Sequence, residues 1–325
     1  MKVALCTIAK MENRYIKEYV SYYKNLGVDV IYLYDNNDVD GERFEQVIDK
    51  EIHDGSVVLL DYRGRKKCQV EAYQNCYEKY GGDVDWMMFF DVDEYLTFSK
   101  ESGIADIKEY LSQDRFDKYN MIHLNWMCYG DNDKVYYEEG KVIERFPVPL
   151  PLDQCIGNNI PENYTIKSIV RGGNKIKWMK TSVHTPKFVQ NAACCDAKGC
   201  AVDDPYLNTM PMDFSVAYLR HYSTKTAEEY AVKMKRGFPD QKVDEEFIQF
   251  LIENRFFATN KKNIEKERII EKILDIPIYS EKSIACYNDL LYRRYRRLKR
   301  LLKLSVIALC IGLLFVLVCF CIIRA

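Results

Sequence analysis

Five large apolar residues, Trp86-Met87-Met88-Phe89-Phe90, run without a break into Asp91-Val92-Asp93-Glu94-Tyr95. An apolar run of this length suits a strand buried on both faces of a parallel sheet, so the acids stand where the strand leaves the sheet at its carboxyl end. Open α/β sheets bind their ligands at that edge. Asp91 and Asp93 have the two-residue spacing that lets both carboxylates converge on one hard divalent cation, with coordination positions left for water and phosphate oxygens. A solvated acidic turn is the competing reading of any Asp-X-Asp tripeptide. The buried strand directly before it favours the metal.

The surrounding pattern is that of an α/β fold. Lys2 to Ile8 reads as a strand, Glu12 to Leu26 carries Ile16, Tyr19, Val20, Tyr23 and Leu26 at helical spacing, and Gly27 supplies the stop. Val28 to Tyr34 is a second strand, which makes a strand-helix-strand unit whose crossover is right-handed and whose sheet is parallel. A strand at Ser56 to Leu60, a helix over Lys66 to Tyr80 and the Trp86 to Phe90 strand continue the alternation expected of a nucleotide-binding half-domain. Beyond the acids the rhythm changes. Strands are expected at Tyr119 to Asn125, Tyr164 to Val170 and Lys175 to Met179, separated by a connection with Pro147, Pro149, Pro151 and Pro161 long enough to be a functional loop. From Thr226 the chain reads as amphipathic helix, and no internal repeat is present.

Charge is nearly balanced over 325 residues but unevenly spread: residues 291–325 hold eight Lys and Arg and no acids, which leaves 39 basic against 48 acidic side chains in the rest, a net of −9. An acidic body argues against nucleic-acid binding, which needs a basic surface facing phosphates. The tail pairs a basic segment over residues 291–303 with twenty uncharged residues from Leu304 to Ile323. At about 1.5 Å per helical residue these match the roughly 30 Å hydrocarbon core of a bilayer. A single C-terminal transmembrane helix over 304–323 is therefore expected, with the basic cluster, and hence the large N-terminal domain, on the cytoplasmic side. The alternative is a buried core helix, which at this length would normally carry some polar face. The start of the sequence lacks the ordered regions of a signal peptide. The twelve cysteines are scattered through apparent core segments, and Cys194, Cys195 and Cys200 lack the second half of a closed zinc site, so reduced thiols are expected.

Several ordered blocks carry a resemblance over residues 1–237. Thr7-Ile8-Ala9-Lys10-Met11-Glu12-Asn13, Tyr34-Asp35-Asn36-Asn37 and Asp91-Val92-Asp93-Glu94-Tyr95-Leu96 look like the opening blocks of glycosyltransferases of the family 2 and family 92 type. Lys167-Ser168-Ile169-Val170, Val183-His184, Arg220-His221-Tyr222-Ser223-Thr224-Lys225-Thr226 and Lys235-Arg236-Gly237 are similar to that group's second half. The resemblance implies a GT-A fold, a Rossmann-like nucleotide-diphospho-sugar transferase domain over 1–237. Its nucleotide-binding half would span about 1–100 and its acceptor half about 101–237, followed by a helical extension at 238–290. It also implies a nucleotide-sugar donor, with a UDP-sugar favoured, and a divalent cation, Mn2+ or Mg2+. Thr7, Lys10, Glu12, Asp35, Asp91, Lys225 and Arg236 are the expected donor-binding residues. A cation held by Asp91 and Asp93 would neutralise the departing diphosphate as a Lewis acid.

His221, after the apolar segment Phe214 to Leu219, is the expected third ligand, with His184 as its competitor; for either, a structural histidine is the alternative. An inverting transfer needs a carboxylate base. Asp131 is the candidate, although acids at 131 and 133 depart from the small polar residues the family often places there. Trp126 is a candidate platform for an acceptor sugar or else a core residue. The expected activity is transfer of a sugar to a glycan or lipid-linked acceptor at the membrane, in surface polysaccharide or lipopolysaccharide synthesis. A nucleotidyl or phosphoryl transferase would also use paired acids, but neither G-x-x-x-x-G-K nor G-x-G-x-x-G occurs. A noncatalytic membrane scaffold is the third reading.

Overall fold

The computed structural model describes residues 1–153, 162–178, 182–189, 192–237 and 244–276. The chain opens with β1 (Val3–Ala9), α1 (Asn13–Asn25), β2 (Val30–Asp35), α2 (Glu45–His53), β3 (Val57–Asp61), α3 (Gln69–Tyr80) and β4 (Trp86–Phe89). The strands align in parallel in the order β3-β2-β1-β4. Every residue of β1, β2 and β4 is buried, which is why these segments read as continuous apolar runs rather than alternating ones. In β4 the pleat sends Met87 and Phe89 into the core under α3, with Tyr73 and Trp178, while Met88 and Phe90 enter the core under α1, with Tyr19 and Tyr23. α1 buries Ile16, Tyr19, Val20 and Tyr23 along one stripe, and Gly27 with φ +95° ends it as its position in the sequence predicts.

The second half departs from an all-parallel sheet. It comprises β5 (Glu94–Phe98), α4 (Ile107–Leu111), β6 (Met121–Cys128), α5 (Val142–Arg145), β7 (Ile166–Arg171), β8 (Ile176–Trp178), β9 (Pro186–Phe188), β10 (Cys194–Cys195) and β11 (Ala217–His221). β7 lies antiparallel between β4 and β6, β6 runs parallel to β11, and β11 pairs antiparallel with β5. The result is one nine-stranded mixed sheet, β3-β2-β1-β4-β7-β6-β11-β5, with β10 added on β6. β8 and β9 form a separate hairpin. The acids of residues 91–94 do not lead into a long exit loop, because the chain turns at once into β5 and rejoins the sheet.

The helical region holds α6 (Ala227–Arg236), α7 (Glu245–Leu251), a π-helical turn at Ile252–Phe256, α8 (Phe257–Thr259) and α9 (Ile264–Leu274), with α9 packed on α6. α6 starts with a reciprocal capping box between Thr226 and Glu229. Among the described residues no helix is long and apolar enough to cross a membrane. The expected basic segment at 291–303 and transmembrane helix at 304–323 lie outside the described residues. Each described cysteine has a free thiol, buried except at Cys200.

Candidate functional site

A cavity of about 230 Å³ opens at the carboxyl ends of β1 and β4, the edge the sequence singles out. The turn that carries its acids is clamped from below by α1. Tyr19 donates to the Phe90 carbonyl at 3.1 Å, Tyr23 to that of Glu94 at 2.8 Å and Tyr22 to that of Leu96 at 2.6 Å. Backbone carbonyls in a tight turn need partners once buried, and the tyrosine stripe of α1 supplies them. The acids are thus held on a fixed frame.

Asp91 and Asp93 both line the cavity, yet they do not share a partner. Asp91 accepts from Gln69 Nε2 and Tyr73 Oη, each at 2.9 Å, on one oxygen and from Lys167 Nζ at 2.8 Å on the other. Lys167 is fully buried and lies 3.6 Å from Glu94, whose other oxygen accepts from the Asp91 amide. Burial, opposed by Lys167 and reinforced by Asp91 and Asp93, pushes the Glu94 carboxyl well above its ordinary value. Asp93 accepts from Lys233 Nζ at 2.7 Å, and its second oxygen stands 3.9 Å from His221 Nε2. Burial alone would raise Asp93, but the Lys233 ammonium, with Lys225 adding to it, outweighs that and holds the carboxyl well below the usual range. Burial drives His221 far below the ordinary imidazole value, so the ring is neutral.

His221 packs on Trp126 with centroids 3.9 Å apart, and Trp126 meets His184 edge-on at 5.3 Å. All three rings line the cavity. Burial pushes His184 down to about 4, and its Nδ1 lies 2.9 Å from the Ile166 carbonyl. A neutral ring can only donate from that nitrogen, which leaves Nε2 with its lone pair. The residues present therefore fit a divalent ion at Asp93 and His221, in the ligand types such ions take. Each acid of the expected Asp91–Asp93 pair carries its own lysine, Asp91 the buried Lys167 and Asp93 the part-exposed Lys233. Among the described residues no three His, Cys, Asp or Glu side chains gather around a single point.

The other expected residues divide. Lys10, Glu12 and Arg236 line the cavity. Lys10 pairs with Asp38 at 3.0 Å, and Arg236 reaches Glu12 at 2.5 Å and the carbonyls of Lys10 and Met11. Thr7 and Asp35 are wholly buried and outside the lining; Asp35 accepts from Arg63 at 2.7 Å and from the Asn37 amide at 2.9 Å, closing the turn after β2. Lys225 lies beside the cavity with its ammonium 4.5 Å over the Tyr15 ring. Asp131 is buried under α9, 2.5 Å from Lys266 Nζ, and does not line the cavity. A base role would require it to leave that pair.

Sequence reasoning missed Lys233, Gln69, Tyr73 and the cavity face of the C-terminal helices, and quoted Lys167 without a role. Lys167 carried a signal, a lone cation inside the apolar strand Ile166-Lys167-Ser168-Ile169-Val170. Lys233 carried none, since an amphipathic helix displays lysines on its wet face anyway. Phe247, Leu251 and Arg255 also line the cavity, although they follow the expected domain end at 237. They are spaced by four residues, and the wide π turn between the last two compensates the rotation of about 80° that eight α-helical residues would accumulate.

Comparison with known proteins adds the family. Two glycosyltransferase family 92 proteins match over about a third of this chain: one of Oryza sativa subsp. japonica at 26% identity over 106 residues, and one of Ricinus communis at 29% over 105. The matches cover 18% and 19% of those proteins, so the chain spans only a fraction of their length. Among solved structures, S. aureus TarS 1-349 in complex with UDP-GlcNAc matches at 13% identity, covering 84% of this chain and 72% of that one, with a TM-score of 0.37. A mannosyltransferase of Pyrobaculum calidifontis in complex with GDP-Man and Mn2+ matches at 9% identity over 38% of this chain and 35% of that one, TM-score 0.29. The model of glycosyltransferase family 92 matches residues 2–270, from the first strand through the helices that close the cavity, and the chain belongs to that family.

Proposed function

We propose that this chain transfers a sugar from a nucleotide-sugar donor, a UDP-sugar favoured, and that the cavity at the ends of β1 and β4 binds the donor. The observation that carries this reading is the charge set around that cavity. Lys10, Lys233, Arg236 and Arg255 supply cations for a diphosphate, while Asp93 and neutral His221 offer the ligand pair for Mn2+ or Mg2+. Such an ion, when bound, would act as a Lewis acid on the departing diphosphate. Arg236 stiffens the β1–α1 turn that meets the donor, and the α1 tyrosines fix Asp93 before any ligand arrives, so little reorganisation is needed on binding. Trp126 and Phe247 give the cavity apolar surface on which an acceptor sugar can lie. The acceptor we propose is a glycan or lipid-linked saccharide, the reaction inverting, and the setting the cytoplasmic face of a membrane, with residues 304–323 as anchor, in surface polysaccharide or lipopolysaccharide synthesis.

The test is calorimetric or thermal-shift binding of UDP-, GDP- and CMP-sugars with and without Mn2+. A donor at about a hundredfold excess over its Kd should stabilise the fold by roughly 2.7 kcal/mol. Asp93→Ala should abolish the part of that shift that depends on Mn2+. Donor binding that ignores both the cation and the Asp93 change would overturn the metal-dependent reading.

A further inference from the structure

Each cavity cation has a carboxylate partner, and the partners differ in what they leave free. Lys10 is paired with Asp38, Arg236 with Glu12 and Arg255 with Glu162, none of which belongs to the Asp93–His221 pair. Lys167 is held by Asp91 and Glu94. Lys233 alone among these sits on Asp93, the carboxylate that shares the cavity with the neutral imidazole of His221. A divalent ion entering between Asp93 and His221 would meet an ammonium already on the same carboxylate. The two positive charges would then repel each other across a single carboxylate, the ammonium on one oxygen and the ion beside the other.

Which of them can yield is a matter of packing. The side chain of Lys167 is 0% exposed, whereas that of Lys233 is 18% exposed and, among the described residues, held otherwise by the Ser223 carbonyl at 3.1 Å. α6 itself is fixed by its capping box and by α9, so a displacement of Lys233 is a rotation about its four-carbon stem and not a shift of the helix. One helical turn further on, Arg236 is pinned by Glu12 and two backbone carbonyls. Of the two lysines that hold the site's aspartates, Lys233 is therefore the one with room to move.

Resting on the nucleotide-sugar reading, we propose that Lys233 is an exchangeable counter-ion: it neutralises Asp93 in the empty site, and when a divalent ion takes Asp93 its ammonium passes to the diphosphate of the donor. The site would then never expose an unpaired carboxylate, and it would couple cation and nucleotide. Nucleotide gives the released ammonium a partner, so each ligand tightens the other.

The experiment compares the full chain with Lys233→Met and Lys233→Arg, using Mn2+ alone, then UDP and GDP at saturating Mn2+, by calorimetry with electron paramagnetic resonance of the free ion. Lys233→Met should bind Mn2+ alone roughly tenfold more tightly and the nucleoside diphosphate roughly tenfold more weakly. The opposite signs are the signature, since a merely loosened site would weaken both. Lys233→Arg, which keeps a cation there, should stay near the parent in both and serves as the reading if the Met variant fails to fold: tighter Mn2+ binding by the Arg variant would contradict a retained competitor. Unchanged or weaker Mn2+ binding by Lys233→Met overturns the exchange while leaving the donor reading intact. A parent chain that binds neither Mn2+ nor either nucleotide overturns both.

Discussion

At the scale of single residues, the site is decided by which carboxylate meets which cation. Asp91 and Asp93 are two positions apart, yet one is neutralised by a lysine on β7 and the other by a lysine on α6. The acids were legible in sequence because a buried strand runs into them; their partners were not, because Lys167 and Lys233 come from elements far along the chain whose approach depends on the sheet order. Asp131 illustrates the converse. It was a plausible base from its block, but Lys266, itself fully buried, claims it. Burial raises the Asp131 carboxyl and Lys266 opposes that shift, so the pair holds together as a unit. Asp131→Asn removes the close carboxylate of that ammonium and leaves it the Lys261 carbonyl at 3.1 Å and Asp133 at 4.0 Å, and we expect a loss of about 3 kcal/mol in urea unfolding with little change in the kcat of the proposed sugar transfer. A collapse of kcat at unchanged stability would restore Asp131 as the base.

At the scale of elements, α1, α3 and β1 to β4 followed from helical spacing and apolar runs, whereas α2, between Tyr34 and Ser56, was not expected. In the second half β6, β7 and β8 were legible as strands, but their pairing was not. β5 was hidden behind the acids, and the antiparallel insertion of β7 between β4 and β6 brings together segments whose pairing no local pattern specifies. The turn after β7 shows how closely that insertion is fitted. A Cβ placed on Gly172 would lie 1.8 Å from the Val84 carbonyl oxygen and 2.7 Å from that of Gly81, both backbone atoms that cannot move aside. The close approach is what allows the Gly172 and Gly173 amides to bond the carbonyls of Asp85 and Gly81. Gly172→Ala should therefore cost several kcal/mol, roughly 3 or more, measured as a shift of the urea midpoint at constant slope. A substitution within 0.5 kcal/mol of the parent would show that this turn relaxes freely.

At the scale of the whole molecule, a buried network ties the sheet's helices together. Glu229 of α6 accepts both ends of Arg145 from α5, at 2.8 and 3.0 Å, and the hydroxyl of Tyr15 from α1 at 2.7 Å. Burial alone would raise its carboxyl, but Arg145 outweighs it and holds Glu229 near 2 against an ordinary 4.5. A carboxyl lowered on folding stabilises the fold above its unfolded value and loses that contribution as pH falls. The loss begins near 4.5 and is complete only below about 2. By linkage the full contribution is about 3 kcal/mol, of which roughly 2 should vanish between about pH 6 and pH 3. Glu229→Gln should flatten the urea stability profile over that interval by the same amount, and an unaltered slope would remove Glu229 from the acid response.

The antiparallel ladder of β5 and β11 has a further consequence. Glu94 stands opposite His221 and Leu96 opposite Leu219, so the imidazole reaches Asp93 only in this register. Deleting one residue inside 217–221 would present Arg220 or Tyr222 where the ring now stands. An evolving or engineered descendant can vary what faces this ladder only while its centre stays locked to a five-residue ruler.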